Sequence, residues 1–137
     1  MRTIAILLTL FAVGFVVSTP EERRLEGQSN PERGKYLAEN VAMCIQCHTP
    51  RDEKGNLLHS QEFQGAPVPF LSPYPDSRWA NTAPSIAGLP QYTSNEAVKL
   101  LTSGVARTGT FLRAPMPQFR MNEGDARDIV AYLKTIR

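Results

Sequence analysis

Both cysteines of the chain and one of its two histidines fall in a single stretch, Val41-Ala42-Met43-Cys44-Ile45-Gln46-Cys47-His48-Thr49-Pro50. Several chemistries use cysteines spaced this way, and the histidine directly after Cys47 separates them. A dithiol oxidoreductase wants its CxxC at the start of a helix that follows a strand, and no strand pattern precedes Val41. A structural zinc site needs four ligands, usually in two well-separated pairs. Beyond Cys44 and Cys47 only His48 and His59 could complete it, and His48 is cramped by its neighbour. A plain disulfide, the ordinary fate of two cysteines in an exported chain, leaves the histidine without a role. Covalent attachment of a haem uses all three residues. On one short helical turn the two thiols reach the two vinyl groups along one porphyrin edge, and the next residue turns its imidazole to the iron. One such motif means one haem c, attached through Cys44 and Cys47 with His48 as proximal ligand.

A haem that exchanges electrons works best with six-coordinate iron, and a thioether favours the reduced state relative to a second imidazole. Met43 lies beside the attachment turn on the His48 side and cannot cross the ring. Met121 stands just before a helix and reads as an apolar contact to it, as most methionines do. Met116, between Pro115 and Pro117, has a backbone restricted on both sides and is the candidate sixth ligand. His59 or an open position is the alternative. The haem carboxylates need donors, and Tyr74, Arg78, Trp79, Arg107 and Arg113 are available; Trp79 and Arg107 are the two selected. His59 otherwise reads as a surface or loop histidine.

Three helices must hold these groups. The first is signalled by Asn30 as cap and Pro31 in the first position, running toward Val41. Leu37 and Val41 share its apolar face, and Gly34, costly by about 1 kcal/mol in a helix interior, marks a place where another element comes very close. The second opens with the capping box Thr93…Glu96, carries Ala97, Val98, Leu100 and Leu101, and stops at Gly104. The last is capped by Asn122 and puts Ala126, Ile129, Val130 and Leu133 on one face. Nothing alternates as a strand, so the fold class is all-α with long loops. From Thr49 to Pro84 no helix is expected; prolines interleaved with Phe63, Phe70, Tyr74 and Trp79 describe an ordered loop that wraps a cofactor, meets a partner or completes the core.

The first residues, MRTIAILLTLFAVGFVVSTPEE, place Arg2 before an apolar run and a polar exit, the layout of a secretory signal. Left uncut, Arg2 to Thr19 as a helix would reach about 27 Å, close to the roughly 30 Å of a bilayer core. Residues 1–20 are therefore read as signal peptide or membrane anchor, 21–29 as linker and 30–137 as one domain. Fifteen basic and 13 acidic residues give a net charge of +2, which offers no basis for nucleic-acid binding.

The chain resembles a class I cytochrome c domain over most of Pro31 to Ile136. The likeness rests on Cys44-Ile45-Gln46-Cys47-His48, on Gly34 and Tyr36 in the first helix, and on Ala83-Pro84-Ser85-Ile86-Ala87-Gly88-Leu89. Met116-Pro117-Gln118-Phe119 and the helical Ile129-Val130-Ala131-Tyr132-Leu133 complete it. The resemblance implies crossed N- and C-terminal helices, with the aromatic of the last meeting the first at its glycine. It implies that Met116 brings the second axial ligand and that the Pro84 carbonyl accepts the His48 ring N–H. It also implies an electron carrier rather than an enzyme, exported to the periplasmic side of a bacterial inner membrane and serving a respiratory chain. The long loop from Thr49 to Pro84, with Gly65-Ala66-Pro67-Val68-Pro69-Phe70 followed by Tyr74-Pro75 and Trp79, resembles cytochrome domains attached to bacterial dehydrogenases, which points to a quinoprotein or flavoprotein dehydrogenase, or a membrane respiratory complex, as partner. The alternatives are a haem enzyme or ligand sensor with an open or labile sixth position, and a subunit whose haem serves mainly as a folding core.

Overall fold

A computed structural model describes residues 28–74 and 78–137. The expected leader or anchor over 1–20 and most of the 21–29 linker lie outside the described residues. Helix α1, Pro31–Tyr36, begins as its sequence predicts: the Asn30 side chain accepts the Arg33 N–H at 3.2 Å, with Pro31 in the first turn. It does not continue as α-helix to Val41. Leu37–Val41 is a π-helical turn, and the Ala42 N–H reaches five residues back to Leu37 O at 2.7 Å. The wider turn breaks the spacing of four that put Leu37 and Val41 on one face. Leu37 is buried and Ala42 packs on the core, whereas Val41 is 57% exposed.

Helix α2, Cys44–His48, follows immediately, started by Met43 in the left-handed region at φ 53°. Helix α3, Ser94–Ser103, has the full capping box: the Glu96 N–H donates to the Thr93 hydroxyl and the Thr93 N–H to the Glu96 carboxylate at 2.8 Å. It ends at Gly104, a left-handed cap at φ 73°. Helix α4, Glu123–Leu133, starts on Asn122, whose side chain accepts the Asp125 N–H.

α1 crosses α4 at Gly34, with α3 packed on the same helix α4. A Cβ built on Gly34 would lie 1.9 Å from the Asp128 carbonyl oxygen, so backbone rests on backbone. The Asp128 carboxylate fastens the start of α1, accepting the Asn30 N–H at 2.6 Å and the Arg33 guanidinium at 2.9 Å. Here one detail of the family resemblance is corrected. The aromatic of α4 is not what meets the glycine: Tyr132 lies one turn further on, donating its hydroxyl hydrogen to Glu39 at 2.5 Å. Tyr36 faces outward, 60% exposed. The atoms nearest a Cβ at Gly34 are main-chain atoms of Asp128 and Ile129.

The 49–84 segment contains a 3-10 turn, His59–Gln61, and a two-residue antiparallel ladder absent from the sequence reading. In it β1, Ala66–Pro67, pairs with β2, Thr82–Ala83, in the register Ala66↔Ala83. The all-α architecture stands; two residues per strand are too few to show alternation. The loop turns on a buried polar contact in which the Phe63 N–H donates to the Thr49 hydroxyl at 3.0 Å. Thr49→Val keeps the shape and orphans a buried amide, which costs about 1–3 kcal/mol. Urea unfolding should register that loss and a smaller one for Thr49→Ser; a valine variant as stable as the parent would show that the contact carries no weight.

Candidate haem site

α2 presents its chemistry on one side. Cys44 and His48, one turn apart and both buried, line the same cleft. The cleft measures about 750 Å³ with its solvent-open mouth included, and Met116 reaches it from a different loop. Its walls are apolar: Ile86 and Leu89 after the long loop, Leu100 and Leu101 of α3, and Ile129, Val130 and Leu133 of α4.

His48 is held from both ends. Its ring Nδ1 is 2.7 Å from the Pro84 carbonyl, which can only accept, so Nδ1 carries the proton and Nε2 keeps its lone pair. Its own carbonyl accepts the Gly65 N–H at 2.7 Å. Burial pushes the imidazole's proton affinity down, opposed in part by the Pro84 bond. A neutral, oriented imidazole is what a metal requires. Burial also pushes the Cys44 thiol up to about 11, opposite to the lowered values on which dithiol oxidoreductases run.

The remaining sequence candidates divide. Met116 is half-buried at the cleft, after the cis Ala114–Pro115 peptide, its N–H donating to Arg113 O at 3.2 Å. Met43 is exposed, and Met121 packs on the core with its N–H on Leu101 O. Trp79 packs edge-on to Phe70, and the neighbouring Ala80 N–H donates to Ala114 O at 2.7 Å, which sets Trp79 beside the Met116 loop. Neither Trp79 nor Arg107 is among the residues that line the cleft; Arg107 stands in an exposed turn near Glu96. His59 is on the surface, 2.7 Å from Glu62. Pro90, Gln91 and Tyr92 also border the cleft and were not singled out from the sequence. They lie between a turn and a helix cap, where no periodicity marks a wall.

A haem fits these residues. Its faces need apolar walls, its iron a neutral imidazole, and its carboxylates buried donors. The Trp79 indole N–H is such a donor, buried without an acceptor among the described residues. The sequence profile described as cytochrome c matches residues 31–137, which holds α1 to α4 and the cleft.

The chain belongs to the cytochrome c family. It is 29% identical over 120 residues to a "Diheme cytochrome c-type" protein of Cereibacter sphaeroides, a match covering 82% of this chain and 38% of that protein. The chain thus spans well under half the length of that relative. This cytochrome c carries one covalently attached haem, bound through Cys44 and Cys47, with His48 as axial ligand and Met116 nearby.

Proposed function

We propose that this cytochrome c passes single electrons between redox proteins of a respiratory chain on the periplasmic side of a bacterial inner membrane, with Met116 as second axial ligand. The observation that carries the ligand is that Met116 and His48, 68 positions apart in the chain, line one cleft, while Met43 and Met121 do not. The bound haem supplies an iron that cycles between ferric and ferrous states. The protein's part is to hold both axial groups so that little rearranges when the charge changes. Pro84 keeps the His48 tautomer, the apolar walls of α3 and α4 would exclude water from a bound haem, and the buried Trp79 indole N–H would be offered to one of its carboxylates. Arg107, exposed in its turn, is the second candidate donor.

Residues 30–137 form the working unit, and 1–20 export it as a cleaved signal or a retained anchor. Among the described residues no helix is long and apolar enough to cross a membrane. The partners are other redox proteins, a quinoprotein or flavoprotein dehydrogenase or a membrane respiratory complex. The likeness to a dihaem protein of greater length supports a place beside a second haem domain.

The test is a pair of substitutions in the haem-loaded protein. Met116→Ala should abolish the long-wavelength sulfur-to-ferric-iron band and let ferrous iron bind carbon monoxide rapidly. Met121→Ala should keep the band and cost about 2–5 kcal/mol of packing at most. Rapid carbon monoxide binding by the unmodified protein would overturn the Met116 assignment and favour a ligand sensor or haem enzyme.

A further inference from the structure

The loop that carries Met116 closes on the C-terminal end of α3 at three points. The Leu112 N–H donates to Gly104 O and the Met121 N–H to Leu101 O, each at 3.2 Å. Between these two ties the Arg120 side chain folds back over its own loop. Its Nη1 donates to Phe119 O at 2.8 Å and to Gln118 O at 3.3 Å, and its Nη2 lies 3.4 Å from Gln118 Oε1.

The guanidinium then covers the α-carbon of Gly104. A Cβ there would lie 2.7 Å from Arg120 Nη1 and 3.2 Å from the Gln118 Cβ. Glycine at 104 thus answers two demands, the left-handed backbone at φ 73° and the side chain laid across it. The hydrogen bonds shown for Arg120 go to carbonyls and one side-chain amide of its own loop, none to a carboxylate. Among the described residues the return limb from Pro117 to Arg120 has one main-chain hydrogen bond within it, the Phe119 N–H on Pro117 O, and Pro117 has no N–H to give. A planar fork that reaches two successive carbonyls suits such a limb better than an ammonium would.

We propose that Arg120 is a positioning residue for Met116. Seated on Gly104, it holds the return limb of the loop against α3 and thereby keeps the thioether in the cleft shared with His48. The inference rests on Met116 being the second axial ligand. Loss of the clasp frees the loop locally while α1 and α4 stay crossed, because none of the contacts involved belongs to that crossing.

The test uses ferric holoprotein and added imidazole, which competes for the position Met116 holds. Arg120→Ala should raise the apparent imidazole affinity about three- to tenfold, the scale of one or two exposed hydrogen bonds. Arg120→Lys should recover only part of the loss, and the global unfolding midpoint by circular dichroism should hardly move in either. Unchanged imidazole affinity, or a rise matched by an equal loss of global stability, overturns the proposal.

Met116→Ala serves as control for the underlying reading. Should it bind imidazole no better than the parent, Met116 is not the ligand, and that reading fails by itself. The clasp is then judged by hydrogen exchange at the Leu112 and Met121 amides. Arg120→Ala accelerates both if the clasp holds the loop and leaves both unchanged if it does not.

Discussion

Gly34→Ala will destabilise the protein by about 3 kcal/mol, the upper end of the usual cost of overpacking. Helix propensity argues the other way, since alanine gains roughly 1 kcal/mol over glycine inside a helix. The geometry decides which wins. The added Cβ would lie 1.9 Å from the Asp128 carbonyl oxygen and 2.4 Å from its carbon, far inside van der Waals contact. The obstacle is main chain in the middle of α4, not the tip of a side chain that could swing aside. Relief therefore requires α1 and α4 to separate, and the separation is felt by Ala38, Ala126 and Ile129, none of which has any solvent exposure.

It also strains the bonds from Asp128 to Asn30 and Arg33 that fix where α1 begins. Because Ile129, Val130 and Leu133 are cleft residues, a shifted α4 moves the haem wall as well. A domain of this size is stable by about 5–15 kcal/mol in total, so the loss should lower the thermal midpoint by ten degrees or more, at about 4–8 °C per kcal/mol. Guanidinium unfolding of the holoprotein checks it. An alanine variant as stable as the parent would show that the helices do not cross here.

How much of this was legible beforehand depended on the range of the interaction. Asn30, Pro31, Thr93, Glu96, Gly104 and Asn122 act on backbone groups within four residues, and each stands where its chemistry placed it. Gly34 could be read as a close approach because a helix seldom keeps a glycine without cause. What approached it could not, since nothing in Asp128 or Ile129 marks them as its neighbours. The haem motif was legible for the same local reason: Cys44, Cys47 and His48 are one turn.

The π-turn was not legible, for Leu37-Ala38-Glu39-Asn40-Val41 has the same composition as an ordinary α-helical turn. Glu39, within the turn, accepts the Tyr132 hydroxyl from α4, a partner that nothing in the local sequence marks. Leu100, Leu101, Ile129 and Val130 were read as apolar helix faces, but periodicity does not distinguish a core face from the wall of a cofactor cleft.

Phe63→Ala should cost about 3–5 kcal/mol, the range for emptying a large buried aromatic site. Phe63 has 0% exposure in a segment that has almost no regular structure, and much of that segment is organised around it. Its ring meets Tyr132 edge-on at 5.9 Å, tying the loop to α4. Its N–H donates to Thr49, directly after His48, and its carbonyl accepts the Ile86 and Ala87 N–H groups at 2.9 and 3.1 Å. The same residue therefore links the end of the haem-bearing helix to the segment whose Pro84 carbonyl holds His48. Truncation should loosen that bond as well as reduce stability, and hydrogen exchange at Gly65, whose N–H is on His48 O, reports it locally.

A glycine variant separates the two parts of the cost. Phe63 has φ 60°, a left-handed backbone that costs a residue with a Cβ about 1–2 kcal/mol. Alanine keeps that penalty and loses the ring; glycine loses the ring and sheds the penalty, at the expense of greater freedom in the unfolded chain. Elsewhere Ala-to-Gly exchange destabilises, so Phe63→Gly matching or exceeding Phe63→Ala in urea would show that the packing of the ring holds the backbone in a conformation it would not otherwise adopt. If glycine instead falls below alanine by the usual helix or strand margin of about 0.5–1 kcal/mol, the left-handed backbone at Phe63 is no constraint, and the ring acts by burial alone.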